Sequence, residues 1–198
     1  MPRTPRDEKR EEILGVTWRL IAQHGLRAAN MRALAAEAGY ANGALGYYFT
    51  NKEELIKAAF QYVVQRTAAR IQLRTRGLSG VRALRKFCAE VLPLDQEKLL
   101  EARIVVPFWE ESLHEPSFAR LHEESMQAFR EQLRRHLREA EKLGELRALT
   151  AKQRTVAVEQ LLSILMGAQV LGVLSGALHS PAMQRAVLHA YLDGLAMR

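Results

Sequence analysis

Residues 25–52 are the stretch of this 198-residue chain whose residue types can do chemistry, and that chemistry is recognition. Asn30 can cap a short helix by accepting a backbone N–H bond. Met31, Leu34, Ala35 and Ala38 then recur at helical spacing and give that helix one apolar face. Gly39 stands where the helix must stop, because glycine takes the left-handed conformation without steric cost. Tyr40-Ala41-Asn42 is expected to form a turn and Gly43 to Phe49 a second helix, with Leu45 and Phe49 as its apolar anchors. That second helix is too short and too polar for a core element. The pair reads as a helix-turn-helix whose second member lies in a DNA major groove.

Charge agrees with a partner made of phosphates. Residues 1–52 carry a net +3, residues 53–82 a net +4, and residues 83–198 balance to zero, so the whole +7 lies in the first 82 residues. A basic N-terminal part on a neutral body is the footprint of a protein that neutralises nucleic-acid backbone. A helical architectural or protein-interaction module without sequence preference is the alternative. The length of the helix-turn-helix and the charge asymmetry both disfavour it.

An enzyme would need convergent acids, bases or metal ligands. His114, His122 and His136 are spaced by eight and fourteen residues, wider than the adjacent-turn pairs of zinc sites. The sequence has no phosphate-binding glycine loop and no nucleophile signature. No catalytic residue, cofactor or metal is therefore expected. The single cysteine, Cys88, cannot form an internal disulfide, which fits a reducing cytoplasm. Residues 1–10 are charged, with no apolar run behind them, and read as an arm rather than a signal peptide.

The elements that must position the reader are all helical, since Ala, Leu, Arg and Glu dominate and no stretch alternates with a period of two. A first helix is expected from Asp7 to His24, with Ile13, Leu14, Trp18 and Ile21 facing inward and Gly25 ending it. Thr50 or Asn51 should cap a long helix reaching about Arg76, its stripe formed by Leu55, Ile56, Ala59, Phe60, Val63 and Val64. Ser79 should cap a helix ending at Pro93, and Asp95 the next, which is expected to kink at Pro107. A long amphipathic helix follows from Pro116 to about Lys142, closed by Gly144. Thr150 caps the penultimate helix, and Ser180-Pro181 opens the last. Residues 161–178 are apolar enough to suggest a membrane span. Ser163, Gln169 and Ser175 interrupt them, and the stripe Gly167, Ala168, Gly172, Gly176 suits close helix packing instead.

The segment from Gly25 to Leu55 resembles the N-terminal domain of TetR-family transcriptional repressors. The resemblance is carried by Leu34-Ala35, Ala38-Gly39, Gly43-Ala44-Leu45, Tyr47-Tyr48-Phe49 and Asn51-Lys52-Glu53-Glu54-Leu55. The layout from Asp95 to Phe108-Trp109 resembles the branch that contains the choline-responsive repressor BetI. Three positions depart from the family pattern. Asn30 stands for a threonine cap, Ala41 for the serine that caps the recognition helix, and Gly46 for a tyrosine. Asn42 is placed to take over a role of the missing serine, and Gly46 costs the helix about 1 kcal/mol relative to alanine.

The resemblance implies a helix-turn-helix domain over residues 1–51 and a helical effector-binding and dimerisation domain over residues 52–198. Positions matching its DNA-contacting set are Arg32, Asn42, Gly43, Ala44, Tyr47, Tyr48 and Lys52. Arg32 suits guanine edges or a phosphate, and the tyrosines offer hydroxyls to phosphates and rings to thymine methyls. Phe49 is assigned to the core. The family implies a homodimer through the last two helices, about 152–178 and 181–196, bound to a palindromic operator of double-stranded DNA. The small-residue stripe and the face Met183, Ala186, Val187, Ala190, Tyr191, Leu195 support that dimer. A small-molecule effector is expected in the C-terminal domain, with Phe87, Cys88, Trp109, Met126, Phe129, Met166 and Gln169 as lining residues. Trp109 beside Glu110 and Glu111 offers a ring face and carboxylates to a cationic ligand.

Overall fold

Glycine, proline and capping residues divide the chain where the sequence predicts. The computed structural model describes residues 5–25, 31–37, 39–40, 43–175 and 179–196. The helices are α1 (Pro5–His24), α2 (Met31–Glu37), α3 (Lys52–Thr75), α4 (Gly80–Val91), α5 (Gln96–Glu111), α6 (Pro116–Lys142), α7 (Ala151–Ser175) and α8 (Pro181–Leu195), with a 3₁₀ turn at Ala44–Tyr47. Among the described residues there is no strand, only an isolated bridge between Leu146 and Ala196. α5 continues through Pro107 as one helix. The chain forms two compact units, residues 1–65 with 103–121, and residues 66–102 with 122–198. α3, α5 and α6 each contribute residues to both.

The first unit is built on an aromatic centre. Phe60 and Phe108 stack at 3.8 Å with planes 6° apart, and the Phe118 ring lies 5.0 Å from Phe108. Around them are buried Ile13, Leu14 and Ile21 of α1, Leu34 and Ala35 of α2, and Leu55, Ile56, Ala59 and Val63 of α3. Trp18 and Val64 pack at the edge of this core. α3 starts on a reciprocal cap. Asn51 Oδ1 accepts from the Glu54 N–H at 2.8 Å, while the Glu54 carboxylate accepts from the Thr50 N–H and hydroxyl, both at 2.8 Å. These two bonds hold the Glu54 carboxyl below the usual carboxylate range.

The second unit packs α4, the later part of α6, α7 and α8 around Leu84, Phe87, Leu133, Leu137, Val158, Leu161, Leu165, Leu188 and Leu192. Its caps follow the predicted residues in three cases. The Asp95 carboxylate accepts from Lys98 N–H, Thr150 and Gln153 exchange bonds, and Ser180 Oγ accepts from Met183 N–H with Pro181 behind it. Ser79 is the exception, making no side-chain cap bond. The first N–H groups of α4 go instead to carboxylates in and just after the last turn of α6: Gly80 donates to Glu139 at 3.3 Å and Val81 to Glu145 at 2.6 Å. Negative charge there also complements the positive end of the α4 dipole.

A charged network lies beside this core. The Arg70 guanidinium meets Glu101 with two nitrogens, at 2.7 and 2.6 Å, and Glu90 at 3.4 Å. Lys98 reaches Glu90 at 3.3 Å and Asp95 at 3.1 Å, and Thr67 donates to Glu101 at 3.4 Å. Glu90 and Glu101 are both buried, so their charges depend on these cations.

Two predictions follow from these contacts. Arg70→Leu should cost about 3 kcal/mol, because it strands the buried Glu101 carboxylate and leaves the buried Glu90 to Lys98 alone. Chemical denaturation measures this, and a loss below about 1 kcal/mol would show that the pair behaves like a surface bridge. The Glu54 cap contributes fully above the ordinary carboxylate range and is lost as pH falls through the lowered folded value. Glu54→Ala should therefore destabilise the protein at neutral pH, with the difference from wild type shrinking in acid. Urea titrations at the two pH values check this, and a pH-independent difference would contradict it.

Candidate nucleic-acid interface and effector-lining residues

The reader is shorter than its sequence pattern predicts. The pattern predicts a helix from Gly43 to Phe49, but only Ala44–Tyr47 is helical, as a single 3₁₀ turn. Gly43 sits at φ 95° and supplies no side-chain cap, and Gly46 weakens the segment again. Three bonds close the turn: Gly46 N–H to Gly43 O at 3.0 Å, and Tyr48 and Phe49 N–H to Leu45 O, both at 2.9 Å. Leu45 and Phe49 are fully buried in the first core, as the sequence assigns them. The end of α2 is fixed by Gly39 at φ 71°, with Tyr40 N–H bonded to Ala35 O at 2.8 Å.

Around these anchors four of the seven predicted DNA-contacting residues are exposed. Arg32, Gly43, Tyr47 and Lys52 are exposed, and the Tyr47 side chain is among the most exposed large ones at 66%. Tyr48 is half-buried between two rings, 5.1 Å from Tyr47 and 6.4 Å from Tyr40, both edge-on. Ala44 lies within the turn. Asn42, like Asn30, Ala38 and Ala41, lies outside the described residues. Met31, Arg32, Gly43, Leu45 and Gly46 line a hollow of about 520 Å³, and two of these five have no side chain to obstruct a backbone that approaches.

α1 adds cations absent from the sequence-derived set. The Arg6 guanidinium covers the Tyr47 ring at 4.9 Å and donates to Tyr47 O at 3.3 Å. Lys9 lies over Tyr40 at 5.4 Å and Arg10 over Phe49 at 4.8 Å. Arg10 also approaches Glu54 at 4.0 Å. Glu12, bonded to Lys9 at 2.7 Å, holds the Lys9 ammonium firmly charged. Positions 6, 9 and 10 stand at i, i+3 and i+4, so one helix face was legible as basic. What the sequence conceals is that this face packs on the reader's rings.

The expected effector-lining residues divide between the units. Trp109 packs against the first core, next to exposed Glu110 and half-buried Glu111. Phe87, Cys88 and Phe129 meet in the second, where Phe129 sits edge-on to Phe87 at 5.9 Å. Phe87 and Cys88 have no accessible surface, so no ligand-sized space touches them. Burial pushes the Cys88 thiol up to about 12, leaving it unreactive. Met126 is buried, and Met166 and Gln169 are half-buried. The Gln169 amide donates to Val91 O at 2.7 Å, while its carbonyl oxygen is buried without a hydrogen-bond partner among the described residues.

The proposed dimer face is also redistributed. Ala168, Leu195 and Gly172 are buried within the chain, and a Cβ at Gly172 would stand 2.9 Å from Pro93 Cγ. Tyr191 is half-buried and bonds Ala157 O at 3.2 Å. These four residues serve internal packing. Val156, Leu171, Leu174, Met183 and Val187 are the large apolar side chains that α7 and α8 expose, and Gly176 lies outside the described residues. By length and composition α7 alone among the described helices could cross a membrane, with 39% of its apolar window buried.

Known proteins carry the same arrangement. Residues 13–59 match the sequence model of bacterial regulatory proteins of the TetR family, and residues 81–196 match that of the BetI-type transcriptional repressor C-terminal domain. BetI of Ectopseudomonas mendocina is 26% identical over 93% of this chain and 92% of its own. PksA of Bacillus subtilis is 30% identical over 103 residues, and the alignment spans about half of each chain, 52% and 50%. A transcriptional regulator from Saccharomonospora viridis, solved in complex with choline, has a TM-score of 0.89 at 21% identity, covering 96% of this chain and 99% of that one. A regulator from Rhodococcus sp. Rha1 has a TM-score of 0.82 at 24% identity, covering 94% and 95%. At those identities the two structures speak for the fold alone. With the C-terminal match covering more than half of its length, the chain belongs to the TetR family of transcriptional regulators, in the BetI-type repressor branch.

Proposed function

We propose that this protein is a homodimeric repressor that binds a palindromic operator and is released from it by a small-molecule effector. The observation that carries the reading is the outward set Arg32, Gly43, Tyr47 and Lys52, arranged over the buried anchors Leu45 and Phe49 and flanked by the α1 cations. Cations and ring hydroxyls reach phosphates, while Arg32 and the turn face base edges. In functional terms residues 1–51 read DNA and residues 52–198 regulate the reading, in the cytoplasm. The exposed apolar face of α7 and α8 supports a second copy as partner, and a dimer doubles two weak half-site contacts into useful affinity. Met126, Phe129, Met166 and Gln169, whose carbonyl oxygen lacks a partner among the described residues, are the lining residues best placed to accept an effector. Choline, bound by the Saccharomonospora viridis regulator, is the first compound to try. An effector acts only through different affinities for the bound and released states.

Selection from a random duplex-DNA pool at near-physiological salt tests this directly. A palindrome should be enriched. Binding without any enriched sequence would leave an architectural module. With the operator in hand, Lys52→Ala should weaken binding uniformly across sequences and reduce the log–log salt slope by about 0.9. An unchanged slope would remove Lys52 from the phosphate contacts. Leu174, 75% exposed, should tolerate Leu174→Glu within the protomer. Light scattering should then report a monomer, with operator affinity down at least about tenfold. A dimer that persists would place the interface elsewhere.

A further inference from the structure

The second unit carries a groove that the repressor reading does not use. It has a volume of about 850 Å³ and runs along the later part of α6 beside the end of α3, with Thr75 and Leu78 on one side. Along α6 it is lined by Arg134, Arg135, His136, Arg138, Glu139 and Lys142, together with Glu131 and Gln132. Their spacing puts the cations at 135, 138 and 142 on one helical stripe.

The charges do not cancel. Glu131 is answered by Arg134 at 3.6 Å, and Glu139 is engaged by the Gly80 N–H at 3.3 Å. Among the described residues Arg135, Arg138 and Lys142 have no ion-pair partner, although acidic side chains are plentiful on α6. At the inner wall is His136, which is 5% exposed. One side of its imidazole rests on the Phe87 ring, 5.5 Å away. Neither ring nitrogen has a hydrogen-bond partner among the described residues, and the nearest carboxylate oxygen, on Glu139, is 3.9 Å from Nδ1. Burial lowers the imidazole's proton affinity, helped by Arg135 and opposed by Glu139, which favours the neutral ring with its one N–H. Buried polar groups are seldom left unsatisfied in folded proteins.

We propose that this groove is a binding site for a small organic phosphate, held by Arg135, Arg138 and Lys142 and oriented by the His136 ring. A phosphate monoester carries nearly two charges and three acceptor oxygens, which match two forked guanidinium groups, an ammonium and one imidazole N–H. The volume falls in the range of small-molecule sites, and Leu78 gives the organic portion an apolar contact. The site rests on local geometry and does not depend on the operator reading, so it is tested without DNA.

The experiment is calorimetric titration of the intact protein with inorganic pyrophosphate and with glycerol phosphate at near-physiological salt. Resonances of the histidine rings are followed in parallel. Saturable binding of one anion per protomer is expected, with the His136 ring shifting in step. The double variant Arg135→Gln/Arg138→Gln, changed at two exposed positions, should weaken binding at least about tenfold. Lys86→Gln, exposed and outside the groove, should leave it unchanged. Absence of saturable binding overturns the proposal. So does equal binding by the double variant, or binding that leaves the His136 resonances in place. Thermal unfolding of each variant separates lost binding from lost fold.

Discussion

A reader of one 3₁₀ turn cannot hold its own shape, and everything this protein does with DNA depends on that constraint. A turn of Ala44–Tyr47 makes too few internal bonds to persist alone. Its stability comes from burying Leu45 and Phe49, each contributing about 2 kcal/mol through area removed from water. The remaining side chains are then free to face outward, because two anchors suffice to fix the segment. The same logic explains the cap that follows. Thr50, Asn51 and Glu54 satisfy the first donors of α3 immediately after Phe49, so the chain leaves the reader in a defined direction. Arg6, Lys9 and Arg10 close the arrangement from the other side by covering rings of residues 40–49. Their charge therefore serves both the fold of the reader and the field it presents to a phosphate backbone.

The second unit manages buried charge by sharing it. Glu90 and Glu101 are satisfied by Arg70 and Lys98, and each of these cations serves more than one carboxylate. Such a network adds little net stability compared with apolar residues of the same volume, yet breaking one member is costly. Its physical effect is to fix the register of the later part of α3 against α4 and the start of α5. Carboxylates in and just after the last turn of α6 do comparable work at the start of α4, where Glu139 and Glu145 replace the cap that Ser79 does not provide.

Helix boundaries were legible because local chemistry decides them. Pro116, Pro181, Asn51, Asp95 and Thr150 all act within one turn of their own position, and α6 runs from Pro116 to Lys142 as its pattern predicts. The inward residues of α1 and α3 were legible for a similar reason, since periodicity reports a face. What periodicity cannot report is which neighbour the face meets. Gly167, Ala168 and Gly172 look alike in the sequence, but Gly172 packs on Pro93 and Ala168 lies in the core. Ser79 has the right type for a cap and loses the role to carboxylates about 60 residues away. The cation-covered rings of the reader were hidden likewise, because the contacts join α1 to a segment some 40 residues downstream. The outward set of the reader was found through the ordered motif rather than through any single residue.

α7 shows how an apolar helix can be divided between two tasks. Its mean hydropathy of 1.7 over the apolar window matches that of a membrane span, and only 39% of that window is buried in the chain. Val158, Leu161, Leu162, Leu165 and Ala168 face inward and belong to the second core. Val156, Leu171 and Leu174 do not, and Met183 and Val187 of α8 extend the same exposed surface. Exposed apolar side chains on two neighbouring helices are the kind of surface a protein–protein interface uses. The hollow of about 240 Å³ among Ile164, Gly167, Leu171, His179 and Val187 gives that patch relief into which side chains of a second copy can pack. A twofold axis would present the same patch from both copies, so each hollow would face the other copy's projecting residues. On this geometry one face of the helix holds its own chain together, while the other carries the apolar side chains of Val156, Leu171 and Leu174 to the surface.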